Sequence, residues 1–131
     1  MTLSALLLMC SLSAHSCKSD EARQIASAID SATDDDRLRS VLVTYAWLES
    51  RWQLTPRPES WDAKAGIARG PWQLWHGGDA DLAAQARTWL ALVQRGGLAA
   101  LDSSPVRASR RAAFAQRLLD RTSALDHVAD R

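Results

Sequence analysis

Four stretches of this chain repeat their apolar residues at helical spacing, and almost nothing alternates as a strand would. Over residues 20–33, Ala22, Ile25, Ala26 and Ile29 fall on one side. From about Asp36 to about Trp52, Leu38, Val41, Leu42 and Tyr45 recur on one stripe, with Asp34 or Asp35 placed to cap the helix. A third helix is expected to begin near Asp79 or Asp81 and to stop at Gly96-Gly97, with Leu82, Ala86, Trp89, Leu90 and Val93 on its apolar face. Ser104 and Pro105 open a fourth, which turns Phe114, Leu118, Ala115 and Leu119 inward and its arginines outward. Past Asp120 this helix is expected to fray, with Leu125 extending its stripe. Gln53 to Lys64 reads as irregular, because Pro56 and Pro58 forbid regular helix. Pro71 suits the first position of a short helix holding Trp72, Gln73, Leu74 and Trp75, ended by Gly77-Gly78. The expected fold is all-α: one small domain of about four to five helices with little or no sheet.

One polar residue sits on an apolar stripe. At about 100° per residue, Glu49 projects within roughly 20° of Leu38 and Leu42. A helix that buries this stripe carries the carboxyl into the wall of its own core. Desolvation disfavours the ionised form, so Glu49 is expected to hold its proton near neutral pH and to serve as a general acid.

Composition narrows the classes. The chain has 131 residues, 47% hydrophobic and 24% charged, which is one ordinary domain. Abundant Ala and Leu, with few Gly, Val, Ile and Phe, favour helices. The net charge of +1 is unevenly spread. Asp34-Asp35-Asp36 is acidic, while Arg107, Arg110, Arg111, Arg117 and Arg121 crowd one late segment, read as a solvated helix face and too poor in aromatics for nucleic acid. His76 and His127 stand alone and no His, Cys and carboxylate group has ligand spacing, so neither metal nor other cofactor is expected.

The first residues read as an export signal. Leu3 to Leu12 is apolar, of signal-core length, and too short to span a bilayer. Ala14-His15-Ser16 then offers small residues where a peptidase cuts, which divides the chain into a leader, 1–16, and a single mature domain, 17–131. Cys10 would leave with the leader, so no structural disulfide to Cys17 is expected. Cys17 would become the first mature residue, where lipidation would tie the chain to a membrane; the competing reading is an incidental thiol. The expected location is the cell envelope or periplasm, lipid-anchored or secreted, and the expected state a monomer.

The chemistry-bearing residues are Glu49-Ser50 and, some twenty residues on, Ala68-Arg69-Gly70-Pro71-Trp72-Gln73-Leu74. This pair resembles the lysozyme-like transglycosylase superfamily, in which a helix ends in Glu-Ser and a Gly-x-x-Gln turn follows. The resemblance covers roughly residues 36–95. It implies cleavage of peptidoglycan glycan strands between N-acetylmuramic acid and N-acetylglucosamine. Glu49 would protonate the glycosidic oxygen, then take a proton from the C6 hydroxyl as a 1,6-anhydro ring closes. A hydrolase would more often need a second carboxylate, and Glu59 and Asp62 are candidates.

Each remaining position has a physical role to offer. Gln73 brings an amide donor and acceptor for sugar groups. Gly70 lets backbone approach the substrate. Ser50 can bond nearby backbone or orient Glu49. Trp72 and Trp75 serve as core or as flat surfaces for sugar faces, and Trp52 and Trp61 also flank the motifs. The family's later Tyr-Asn-x-Gly-like motif has no counterpart at Leu101-Asp102-Ser103-Ser104. That departure supports an alternative, a degenerate lysozyme-like domain that binds glycan or has a structural role in the envelope. A further alternative is a helical interaction domain in which the two motifs coincide by chance.

Overall fold

The computed structural model describes residues 3–56, 61–62, 66–74, 77–78, 80–97 and 104–129, with 61–62, 66–67 and 126–129 described through their backbone alone. Among these the fold is all-α, as expected, with five helices: α1 (Ala5–Leu12), α2 (Asp20–Ala32), α3 (Asp36–Ser50), α4 (Leu82–Gly96) and α5 (Pro105–Ala129). A two-residue antiparallel ribbon, β1 (Trp61–Asp62) and β2 (Gly66–Ile67), pairs Trp61 with Ile67 and Asp62 with Gly66.

Short polar side chains set the helix starts. Ser4 Oγ accepts from Leu7 N, Ser19 Oγ from Ala22 N, Asp35 Oδ1 from Leu38 N and Asp81 Oδ1 from Ala84 N, at 2.9–3.1 Å. Each satisfies a first-turn amide that the helix leaves open. Asp35 and Asp81 were both candidate caps in the sequence. At the far end of α4, Gly97 takes φ +72 and donates its N–H to Val93 O, the stop expected there.

α3 is the centre of the molecule. Its residues 39–46 are all buried, more than two full turns. A helix covered on every side has no single apolar stripe, and its neighbours supply the amphipathic faces instead. α5 packs along one side, where Ser40 Oγ donates to Ala115 O at 2.6 Å. α1 and α2 cover others, and α4 reaches it through Trp89, whose ring lies 5.0 Å from that of Tyr45. α2 buries Ala22, Ile25, Ala26 and Ile29, the four residues its spacing singled out. α4 buries Ala86, Trp89 and Leu90, plus Gln85, with Leu82 and Val93 half-buried.

The helix assigned to a cleaved leader is α1, and Leu3, Ala5, Leu8 and Met9 lie in the core with at most 3% exposure. These side chains share one buried cluster with Ile25, Ile29 and Leu42. Cys10 and Cys17 are joined by a disulfide, contrary to the expected absence of one and to the reading of an incidental thiol. A Cys17 sulfur bonded to Cys10 carries no lipid in the same molecule.

α5 does not fray at Asp120 but continues, with Thr122 fully buried. Its buried stripe is Ala108, Ala115, Leu118 and Thr122, while Phe114 and Leu125 face outward. Small residues win the inner face because α3 approaches closely enough for a side chain to bond backbone, leaving no room for a phenyl ring.

Candidate functional site

Glu49 occupies the last turn of α3 with its side chain about one-fifth exposed. The sector is the one its spacing indicated, toward a neighbouring helix. Arg111 of α5 reaches across and pairs Nη1 with Glu49 Oε1 at 3.0 Å. The Arg111 guanidinium also lies 5.5 Å from the Tyr45 ring centroid, which stacks in turn on Trp89. The site is therefore an ion pair backed by two aromatic rings, on the seam of α3 with α5. As part of that pair the carboxylate accepts hydrogen bonds.

Ser50 is buried and donates from Oγ to Ala46 O at 2.7 Å, four residues back. Of the two roles read for it, this is the bond to nearby backbone. Arg51 and Trp52 then adopt left-handed conformations, φ 54 and 59, and end the helix two residues earlier than expected. Two non-glycine residues there cost about 1–2 kcal/mol each. Burying an indole of about 200 Å² at about 25 cal/mol per Å² returns about 5 kcal/mol, so the strain is held. Trp52 is 1% exposed, donates Nε1 to Val43 O at 3.1 Å and stacks on Trp47 at 4.6 Å. Arg51 covers the other ring with its guanidinium 4.5 Å from the Trp47 centroid.

Gly70-Pro71-Trp72-Gln73 forms a turn rather than the start of a short helix. Arg69 and Leu74 exchange backbone hydrogen bonds at 2.9 and 2.8 Å, and Gln73 N donates to Gly70 O at 3.0 Å, closing a hairpin-like loop. Gln73 sits at φ 51, outside the helical region Pro71 would have led into. Its side chain donates Nε2 back to Gly70 O at 3.1 Å. Gly70 has φ +80, and a Cβ there would run into the Gln85 carboxamide oxygen. The need for glycine is thus close approach by α4. Gln85 Oε1 is buried without a hydrogen-bond partner, while its Nε2 donates to Ala80 O at 2.7 Å.

Trp72 is core: 3% exposed, with Nε1 donating to Leu42 O at 3.0 Å. This bond docks the turn on α3. Leu42 precedes Glu49 by seven residues, about 10 Å along the axis. Gly70, Trp72 and Gln73 are therefore brought together in one turn, and that turn joins the helix that carries Glu49 and Ser50, two turns before them. Trp75, His76 and Glu59 lie outside the described residues, and the Trp61 and Asp62 side chains are not described. Among the described residues no group of three His, Cys, Asp or Glu side chains could hold a metal ion.

The sequence pattern missed Arg111, Tyr45 and Gln85 as site residues. A signal for Arg111 did exist. It follows Ala108 by three residues and precedes Ala115 by four, on the small-residue stripe of α5. No protein-family model matches the chain, and no curated protein and no solved structure matches it.

Proposed function

We propose that this chain is a lysozyme-like domain that engages the glycan strands of peptidoglycan and cleaves them through Glu49, as a lytic transglycosylase does. The observation that supports this most is the placement of Glu49, partly exposed in the final turn of the central helix. The turn bearing Gly70 and Gln73 is pinned to the same helix by Trp72. On this reading Glu49 leaves Arg111 when substrate binds, takes up a proton from water, gives it to the glycosidic oxygen as the bond to the leaving sugar breaks, and recovers a proton from the C6 hydroxyl as that oxygen closes the 1,6-anhydro ring. Arg111 and Gln73 hold sugar oxygens or the N-acetyl group. An envelope location is part of the proposal. The Cys10–Cys17 disulfide supports it, because such bonds persist in oxidising compartments.

Incubating the purified chain with peptidoglycan tests the reading. Mass spectrometry is expected to find 1,6-anhydromuramyl products that Glu49→Gln does not release. Reducing ends in their place would make it a hydrolase. No release by either protein would remove the enzyme.

The ion pair itself favours a second reading, a domain that binds glycan without cutting it. A carboxylate held at 3.0 Å by a guanidinium is already serving as an acceptor. Binding to isolated cell walls with no product would support that reading.

A further inference from the structure

We propose that the outer face of α5 docks on an anionic phospholipid surface. On a helical wheel, Arg110, Arg117, Arg121, Phe114 and Leu125 fall within about 80° of one another, and Val106 adjoins them. The stripe flanks the inner face of α5, about 100° round the helix from the mean direction of Ala108, Ala115, Leu118 and Thr122, which face the core. It runs from Val106 to Leu125, about 28 Å along the axis.

Its apolar members are open to solvent: Val106 is 61% exposed, Phe114 36% and Leu125 55%. Arg110, Arg117 and Arg121 are exposed beside them. Asp120 sits on the adjoining strip instead, among Ser109, Gln116 and Ser123, and accepts from Gln116 Nε2 at 3.0 Å. The solvent side of α5 is thus divided lengthwise into a cationic, apolar half and a neutral or acidic half.

Two contacts give the cationic half a fixed shape. The Arg117 guanidinium lies 5.8 Å from the Phe114 ring centroid, so cation and ring present one surface. Arg121 donates Nη2 to Ser11 O at 2.7 Å at the end of α1, whose first turn exposes Leu6 and Leu7. α5 is anchored along its inner side, so this face is a rigid platform.

The mixture of side chains selects the partner. Guanidiniums pair with phosphate oxygens, which lipid headgroups and nucleic acids share. Exposed Phe, Leu and Val gain nothing from a sugar-phosphate backbone, but gain by entering the boundary between headgroups and acyl chains. A basic helix face with apolar residues beside its cations lies in the plane of such an interface. None of the described helices is long and apolar enough to cross a membrane, so the contact is peripheral.

The test uses the purified full-length chain with vesicles of 70% phosphatidylcholine and 30% phosphatidylserine, against pure phosphatidylcholine. The expected result is co-sedimentation with the anionic vesicles alone, lost at 0.5 M salt. Phe114→Trp is expected to give an emission blue-shift on the same vesicles. Arg110→Gln with Arg117→Gln, which leaves the Arg121–Ser11 contact in place, is expected to weaken binding by roughly thirtyfold, at about fivefold per arginine. Circular dichroism checks that this variant folds, and if it does not, Arg110→Gln alone, expected to lose about fivefold, decides. Equal binding to both vesicles, no binding, or undiminished binding by the folded variant would overturn the proposal. So would tighter binding to a single-stranded oligonucleotide than to the anionic vesicles.

Discussion

Arg39 and Arg111 both reach across helix junctions, and they are held in different ways. Arg39, 7% exposed, donates to three backbone carbonyls: Nε to Thr33 O at 2.7 Å, Nη1 to Leu3 O at 3.0 Å and Nη2 to Asp30 O at 3.2 Å. Its Nε also lies 3.3 Å from the Asp30 carboxylate, which accepts the first amide of α1 from Ala5. Arg111 by contrast meets one carboxylate, that of Glu49, and both side chains are about one-fifth exposed. Carbonyls fixed in helix ends cannot rearrange, so Arg39 is a bolt. On the proposed function the pair of Glu49 and Arg111 must open when glycan binds, which sets it against Arg39.

The sharpest way to break this contrast is Arg39→Ala. It leaves three carbonyls short of a donor and Asp30 without its cation, and is expected to cost about 3 kcal/mol. Urea denaturation would read the loss. A cost below about 1 kcal/mol would mean that water replaces the guanidinium, and that the junction is no more rigid than the one at Glu49.

The far end of α1 offers the next largest effect. The Cys10–Cys17 bond closes a loop across seven positions, and loop entropy assigns it about 2.5 kcal/mol. Cys10→Ser with Cys17→Ser should lower stability by that order, and dithiothreitol should do the same to the unaltered chain. If α1 is bolted at both ends, the two losses add, because the junctions share no partner. Losses that overlap would show that releasing one end already frees the helix.

Gly70→Ala examines the turn docked on α3, with an expected cost of about 2 kcal/mol. Part is backbone, at φ +80, and part is the collision with Gln85. In a Gln85→Ala background the same substitution should cost about half as much. An unchanged cost would place the whole requirement for glycine in the backbone.

These elements were unequally legible. Periodicity found α2 and α4 because each buries one face: Ile25 and Ile29 in one, Trp89 and Leu90 in the other, are apolar where the fold needs them. In α3, buried on every side over residues 39–46, the apolar stripe marks one of several buried sectors, the one that Glu49 shares. Spacing puts Arg111 on the stripe of Ala108 and Ala115 but could not pair it with Glu49, since a wheel shows which way a residue points and not what stands opposite. Phe114 was assigned inward on hydrophobicity alone, but the α3–α5 distance, set by Ser40 and Ala115, excludes it. The apolar run of α1 fits a signal core and a core helix equally, because both require the same leucines. Gly70-x-x-Gln73 was legible as a motif and misread as a helix start, because Pro71 suits a turn as well as a first helical position.

The smallest effect tests the separable pair. Glu49 and Arg111 are each about one-fifth exposed, so their coupling should be about 1 kcal/mol, the upper end for a solvated ion pair. A double-mutant cycle with Glu49→Gln and Arg111→Gln isolates it from what each side chain does alone. Raising the salt concentration should shrink the coupling, because the pair faces water, whereas the Arg39→Ala cost should scarcely change. The cycle also bears on chemistry. If the pair opens to let Glu49 act, Arg111→Gln spares that opening, and product release should persist with a changed KM while Glu49→Gln abolishes it. If the pair is a second bolt, the coupling will exceed about 3 kcal/mol and survive high salt. Glu49 would then stand beside Arg39 as scaffold, and the glycan would have to be held elsewhere.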